Sequence, residues 1–249
     1  MQPAVLITGG ARRIGALLTR GFAKAGWHVV IHYGASRAEA EALAANLPSA
    51  ETAQCDLSNP EAARAFISTL AGRLDNWRVL VNCAAVLRPD RAETLVPDLF
   101  NEAIRVNAQS PVMMAQEFLA SARANGGRRV IQFTDMKLRN PNPDFFSYTL
   151  AKHALDAAIK PMAMAITDPA DRVYGLAPGA MLPSFDQAPD EHLRSGRMNL
   201  LERLTPPGEL AEAALFLAEG WLQSGETLFI DSGQHLLAQP RDVLYLARQ

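Results

Sequence analysis

The sequence predicts a single α/β domain built on a doubly wound parallel sheet, and three observations carry that expectation. Strand-like apolar runs alternate with amphipathic stretches along the whole chain, the pattern of repeated βα units. The first unit turns through Thr8-Gly9-Gly10 into a stretch where Ile14, Leu17, Leu18 and Phe22 recur at helical spacing. A length of 249 residues suits one such domain over residues 1–249, large enough to need no disulfide or metal staple.

The elements follow in order. Ala4–Ile7 is four apolar residues, short enough for a buried strand. The first helix closes at Gly26, and residues 28–32 form the second strand. Residues 36–46 are rich in Ala and Glu and stop before Pro48, as a helix should. Residues 51–55 make a weak third strand, after which Asn59 caps a helix with Pro60 at its first position. Residues 78–83 are the fourth strand, leading to a loop that holds Pro89 and Pro97. One long helix is expected from Asp98 towards Ala124, stopped by Gly126 and Gly127. Residues 129–134 form the fifth strand, and a Pro-rich loop over 139–144 precedes a helix from about Phe145 to Ile166. Residues 173–177 and 227–231 complete seven strands, with a helix from Glu209 to about Gly220 between them.

Composition narrows the function. With 49% hydrophobic and 20% charged residues the chain is not disordered, and a net charge of −2 gives no electrostatic case for nucleic acid or a membrane surface. Cys55 and Cys83 lack a Cys-x-x-Cys or His cluster and read as buried, reduced thiols. A strand beginning by residue 4 leaves no room for a signal peptide, and no apolar run nears the ~20 residues of a spanning helix. A cytoplasmic protein acting on a small molecule is expected.

Ligands of doubly wound sheets sit at the carboxyl ends of the strands. There the turn at Gly9 and Gly10 aims backbone N–H groups and a helix N-terminus at a phosphate. Tyr148 and Lys152 lie one helical turn apart. The ammonium favours phenolate, lowering a pKa that starts near 10, so the tyrosine can protonate a substrate that receives hydride. The alternative is an exposed pair on a helix surface.

On these residues the chain resembles the short-chain dehydrogenase/reductase family over nearly its whole length. Gly9, Arg13, Ile14 and Gly15 stand in that family's cofactor turn, and Asp56 and Leu57 match its adenine-contacting pair. Asn82 and Ala84 fall in its fourth-strand motif, and Asn107 matches the asparagine that holds a relay water. Tyr148 and Lys152 match the catalytic pair, Pro178 and Gly179 the turn that meets the nicotinamide, and Asp231-Ser232-Gly233 a motif near its C-terminus. The resemblance implies a Rossmann-type sheet of order 3-2-1-4-5-6-7, a Lys152 that also binds ribose, and a homodimer or homotetramer.

Two departures point within the family. Arg13 replaces the middle glycine of the turn, and Asp135 replaces the catalytic serine. Together, with His32, Tyr33, Ser36 and Phe133-Thr134, they resemble the pteridine and dihydromonapterin (alternative dihydrofolate) reductases. An ionised Asp135 only accepts hydrogen bonds, which suits a substrate with N–H edges or a proton passed through Tyr148; otherwise it caps the following loop. A third departure cuts the other way, because Leu87 stands where a pterin-stacking aromatic is expected. Phe145, Phe146, Met181 or Phe185 are the substitutes, each equally suited to packing.

No acidic residue ends the second strand, whereas Tyr33, Ser36, Arg37 and Arg13 suit a 2′-phosphate, so NADPH is the expected cofactor. Arg37 reads alternatively as a solvated residue opening the next helix. The Pro-, Asp- and Arg-rich stretch over about 180–207 is the expected substrate loop, with Met181 at its start. Its Asp186, Asp190, Glu191, His192, Arg194 and Arg197 are candidates for substrate contact or for solvation. The tail over 236–246 packs either on a neighbouring subunit or within its own chain. The expected activity is hydride transfer from NADPH to a dihydropterin or dihydrofolate-type substrate. Asp135, Tyr148, Lys152 and Asn107 would be the catalytic set, and Arg13, Leu87, Asp135 and Met181 would face the substrate. The alternatives are a carbonyl or 3-oxoacyl reductase, or a non-catalytic NADP(H)-binding regulator.

Overall fold

The computed structural model describes residues 1–184 and 186–249, so Phe185 lies outside the described residues. Seven parallel strands form one sheet in the order β3-β2-β1-β4-β5-β6-β7. They are β1 Ala4–Ile7, β2 His28–Tyr33, β3 Ala50–Gln54, β4 Trp77–Asn82, β5 Arg129–Phe133, β6 Arg172–Pro178 and β7 Thr227–Ile230. The reversal of strand order falls between β1 and β4, and the crevice it opens is where such sheets bind ligands.

Burial on both faces explains why the central strands read as continuous apolar runs. Val5, Ile7, Val29, Ile31, Val79 and Val81 face one core, packed against α1 Arg13–Lys24 and α8 Pro207–Glu219 through Leu18, Phe22, Leu210 and Leu217. Leu6, Val30 and Leu80 face the other, against α3 Pro60–Ala71, α5 Ser110–Ser121 and α6 Phe146–Met164 through Ile67, Phe118 and Ile159. The α2 helix, Arg37–Ala44, flanks β2 and β3, and Asn59 accepts from the Ala62 N–H as the cap of α3.

Two expectations need correction, and for the tail the structure shows packing within its own chain, one of the two readings left open. The helix expected from Asp98 towards Ala124 is not uniform: α4 Pro97–Ile104 widens into a π-helical turn at Arg105–Gln109 before α5, which ends at Ser121 where Ala122 turns extended. Pro111 has no N–H, so the regular ladder loses a rung just past the widened turn. The stretch over 180–207 is not all loop; it holds α7, Pro189–Ser195. The tail forms a 3-10 turn, Gln234–Leu236, and a short α9, Val243–Leu246, which bury Val243 and Leu244 against the same chain. Arg194 holds the Ala247 carbonyl, and Arg248 pairs with Asp186 and Glu191, so the tail closes over α7. Among the described residues no helix is long and apolar enough to cross a membrane.

Candidate active site

The glycine turn is fixed by contacts to three strand ends. Gly9 takes a left-handed φ of 63°, and its N–H donates to His32 Nδ1 at 3.1 Å. With Nδ1 accepting, Nε2 carries the ring proton and donates to the Cys55 carbonyl at 3.1 Å. Burial pushes the His32 pKa down to about 4, so the ring stays neutral and keeps that tautomer. Thr8 receives the Ala84 N–H on its hydroxyl at 3.0 Å, tying the turn to the end of β4. Gly15 packs directly beneath: a Cβ there would lie 2.0 Å from the Gly9 carbonyl oxygen.

Arg13 occupies the position of a glycine with φ 50°, and its guanidinium donates to the Pro183 carbonyl at 2.7 Å. The side chain therefore links the cofactor-type turn to the start of the 180–207 stretch. Ile14, also predicted, lines the crevice beside it.

From this turn a crevice of about 370 Å³ runs past Cys83, Ala84, Ala85 and Thr134 to Tyr148, Lys152 and Pro178. A second chamber of about 210 Å³ continues from Arg13, Ile14, Tyr148 and Pro178 to Leu87, Asp135, Lys137, Phe145, Gly179, Met181 and Asp242. The glycine turn and the Tyr148–Lys152 helix thus converge on connected space, as the sequence predicted.

The Tyr148 hydroxyl donates to Asp135 Oδ2 at 2.8 Å, while Asp135 Oδ1 accepts the Lys137 N–H at 2.9 Å. Asp135 thus touches the tyrosine and also caps the 3-10 turn Met136–Leu138, the capping reading of the sequence. The expected lowering of the Tyr148 pKa is not found. Burial first, then the Asp135 carboxylate, raise the Tyr148 pKa well above its ordinary value, so the phenol keeps its proton. Burial also raises Asp135, and lowers Lys152 to about 8. The Lys152 ammonium donates to the Phe133 carbonyl at 2.5 Å and lies 5.6 Å from the Tyr148 ring centre. Its neighbour Cys83 is a thiol pushed up to about 12 by burial.

Asn107 sits in the π-helical turn, fully buried, with its amide bridging the Val86 backbone: Nδ2 donates to the carbonyl and Oδ1 accepts the N–H, each at 2.8 Å. Asn82 does not face the crevice. Its amide donates to the Pro111 carbonyl and to Gln132, both at 3.0 Å, locking β4 to β5 and α5. Leu57 is likewise a core residue, and its carbonyl receives the Ser110 hydroxyl.

Asp56 stands exposed past β3, its carboxyl held below the ordinary range by the Ser58 N–H and hydroxyl. Tyr33 is buried at the end of β2, with the Arg37 guanidinium 5.7 Å from its ring centre. Arg37 also pairs with Glu41 at 3.4 Å, and the hydroxyl of Ser36 makes no capping bond to α2. Gly179 packs so closely on Asp231 that a Cβ would fall 2.6 Å from the Asp231 Cβ. Met181 is buried on the chamber wall, and Leu87 is half exposed at its mouth. Phe145, held at φ 54°, provides an aromatic wall, stacked on Tyr245 with ring centres 5.9 Å apart.

Sequence reasoning missed His32 as the anchor of the turn, and Lys137, Gln234 and Asp242 as chamber walls. It also missed Asp90, which accepts the Ser147 N–H and hydroxyl and so caps the helix that carries Tyr148. His32 left a trace, a polar residue directly after the apolar run Val29-Val30-Ile31. The others depend on chain closure that no local pattern records.

Comparison with known proteins gives concordant matches. A family model described as enoyl-(acyl carrier protein) reductase matches residues 9–235. The crystal structure of FolM alternative dihydrofolate reductase 1 from Brucella canis, complexed with NADP, superposes with a TM-score of 0.88 at 32% identity, covering 96% of each chain. Dihydromonapterin reductase of Escherichia coli (strain SMS-3-5 / SECEC) is 25% identical over 93% of this chain and 96% of its own. The 7alpha-hydroxysteroid dehydrogenase of Escherichia coli (strain K12) is 28% identical over 92% of both.

Proposed function

We propose, from the premise that this chain belongs to the short-chain dehydrogenase/reductase family, that it is an NADPH-dependent reductase of dihydropterins. The observation that carries this reading is the Tyr148 hydroxyl bonded to a carboxylate, Asp135, at the junction of the two chambers. A carbonyl reductase needs a second donor beside the tyrosine; an acceptor there suits a substrate that brings its own N–H groups.

The residues present fit a dinucleotide. Gly9 is left-handed, Gly15 lets the start of the helix pack directly on the Gly9 carbonyl, and that helix N-terminus lines the crevice. Bound NADPH would supply the hydride. Backbone N–H groups of the turn would hold the pyrophosphate, with Arg13 beside them, while Ser36 and Arg37 would meet the 2′-phosphate at the end of β2. Asp56 would lie at the adenine and Lys152 at the nicotinamide ribose.

Tyr148 would deliver the proton, directly or through water. A substrate nitrogen that displaces Asp135 from the hydroxyl receives the phenol proton, and Asp135 orients the substrate or shares that proton. Asn107 spends its amide on Val86, fixing the chamber edge beside Leu87. Its backbone carbonyl has no N–H four residues on, because residue 111 is proline, and would be the acceptor for a relay water. Assembly as a homodimer or homotetramer in the cytoplasm belongs to the same reading.

The second reading, a carbonyl or 3-oxoacyl reductase, is favoured by Leu87 in place of a stacking aromatic; Phe145, which lines the same chamber, weighs against it. The test is consumption of NADPH and of NADH on a dihydropterin, dihydrofolate and simple ketones. Dihydropterin reduction that prefers NADPH, and that Tyr148→Phe slows by about 10²–10⁴-fold, is the expected result. Reduction of ketones alone would install the second reading, and NADPH binding with no turnover on any substrate would make the chain a regulator.

A further inference from the structure

The chain enters α6, the helix that carries Tyr148, under strain and without a cap of its own. Phe145, at the N-cap position, is held at φ 54°, a left-handed conformation that a bulky L residue resists. Its side chain makes no capping bond, and the first turn holds no acidic residue. The N–H groups of such a turn have no partners within the helix and need acceptors from elsewhere. One acceptor comes from the loop between β4 and α4. Asp90 takes the Ser147 N–H at 3.0 Å and the Ser147 hydroxyl at 2.5 Å, both on Oδ2. We infer that Asp90 is a positioning residue for the reaction: through Ser147 it holds the first turn of α6 so that the Tyr148 hydroxyl stands where the two chambers meet. This role presupposes Tyr148 as the proton donor, as read above, but no particular substrate.

The carboxylate is delivered by backbone that is fixed independently of it. The Phe145 N–H donates to the Asp90 carbonyl and the Ala92 N–H to the Pro143 carbonyl, each at 3.0 Å, and Arg91 and Asp144 form an antiparallel bridge. The loop therefore lies along residues 143–147 as a short ladder, to which the Asp90 side chain adds a grip on the helix itself. Ser147 is 2% exposed, so water is poorly placed to replace that grip. A carboxylate is also the charge that a helix N-terminus favours.

Leverage makes the grip a matter of chemistry as well as folding. Ser147 adjoins Tyr148, and both lie in the first turn, where helices fray. The Tyr148 side chain reaches from that turn to Asp135, where its hydroxyl donates at 2.8 Å. A misplacement of about 1 Å at a reacting group can cost about 10²-fold in rate. Lys152 lies one turn further along, in the regular body of α6, and is anchored separately on the Phe133 carbonyl. A loosened first turn thus moves the phenol and leaves the ammonium, proposed above to meet the ribose, in place. The effect falls on the chemical step and spares cofactor binding.

The experiment measures single-turnover NADPH oxidation at saturating substrate, and NADPH affinity by fluorescence titration. The variants are Asp90→Ala, Asp90→Asn and Ser147→Ala, each alone and combined with Tyr148→Phe. The substrate is whichever of a dihydropterin, dihydrofolate and simple ketones the wild type reduces fastest, so a failed pterin reading leaves the test standing. Asp90→Ala should slow the step by about 10–100-fold while NADPH affinity stays within about twofold of wild type. Asparagine keeps an acceptor oxygen and should restore the rate to within about threefold of wild type. Ser147→Ala keeps the backbone bond and should cost about three- to tenfold. In the Tyr148→Phe background none of the three should slow the residual rate further, because no hydroxyl is left to place. Multiplicative losses in that background, a loss confined to NADPH affinity, or an asparagine variant as slow as the alanine one overturn the inference and leave Asp90 a cap for stability alone. Where Asp90→Ala does not fold, Ser147→Ala decides, and a wild-type rate in it overturns the inference. A wild type that reduces none of the substrates withdraws the donor role from Tyr148 and with it any role for Asp90, an outcome distinct from the others.

Discussion

His32 makes the glycine turn sensitive to mild acid, by an amount that can be worked out. The ring accepts from the Gly9 N–H and donates to the Cys55 carbonyl, an arrangement open only to the neutral imidazole. Burial lowers its pKa from 6.5 to about 4. Between those values the unfolded chain binds a proton that the folded chain refuses, so stability is full above 6.5 and is lost as pH falls towards 4. The full difference is about 3 kcal/mol, and about 2 kcal/mol of it is spent between pH 7 and pH 5. Asp56, Glu117 and Asp144, held below their ordinary values, lose their contribution only below their unfolded pKa values, outside that window. His192, lowered by burial, shares it, so the readout is a difference between proteins. In urea unfolding at pH 7 and pH 5, the wild-type midpoint should drop about 0.6 M further than that of His32→Gln, taking a slope of about 3 kcal/mol per molar. Glutamine offers one acceptor and one donor at similar spacing but cannot take the proton. Equal drops in the two proteins would refute the argument.

Three further outcomes follow from the same geometry. Gly15→Ala drives a Cβ into the Gly9 carbonyl; overpacking of about 1–3 kcal/mol should lower the melting midpoint by roughly 5 °C and weaken NADPH binding about tenfold, read by calorimetry and fluorescence titration. Arg13→Gly relieves a left-handed φ of 50° but loosens the unfolded chain, and these nearly offset. The melting midpoint should stay within about 2 °C while KM for NADPH rises about tenfold, because the cation beside the pyrophosphate and the tie to Pro183 are both lost. Lys152, lowered to about 8, loses its charge as pH rises through that value, so NADPH affinity should decline above pH 8 in the wild type but stay flat in Lys152→Met, measured by titration from pH 6.5 to 9.5.

Much of the fold was legible because the central strands are buried on two faces and so read as short apolar runs between turn residues. Ala4–Ile7 and the turn after it needed nothing beyond local pattern. The break in the helix over 98–124 was not legible, since α4, the widened turn and α5 are all good helix formers and Pro111 is tolerated within a first turn. At the site, Tyr148 and Lys152 were found by spacing, yet the direction of the Tyr148 pKa shift was misread. The charge of Lys152 was in the sequence; the dehydration that outweighs it, and the bond to Asp135, exist only once β5 and α6 pack together. Asn82 was misplaced for a related reason, because an amide at a strand end can point to the crevice or across the sheet, and only Gln132 and the Pro111 carbonyl decide between them.

The single extra residue accommodated at Arg105–Gln109 turns the helix about its own axis, so the segments on either side present different stripes. α4 lies against α6, the carrier of Tyr148, whereas α5 lies against α3. One rod therefore serves two neighbours that a straight helix of the same sequence would meet out of phase. Shortening it by one residue would realign the stripes and force a choice between them, which gives this insertion an architectural purpose as well as a place for Asn107.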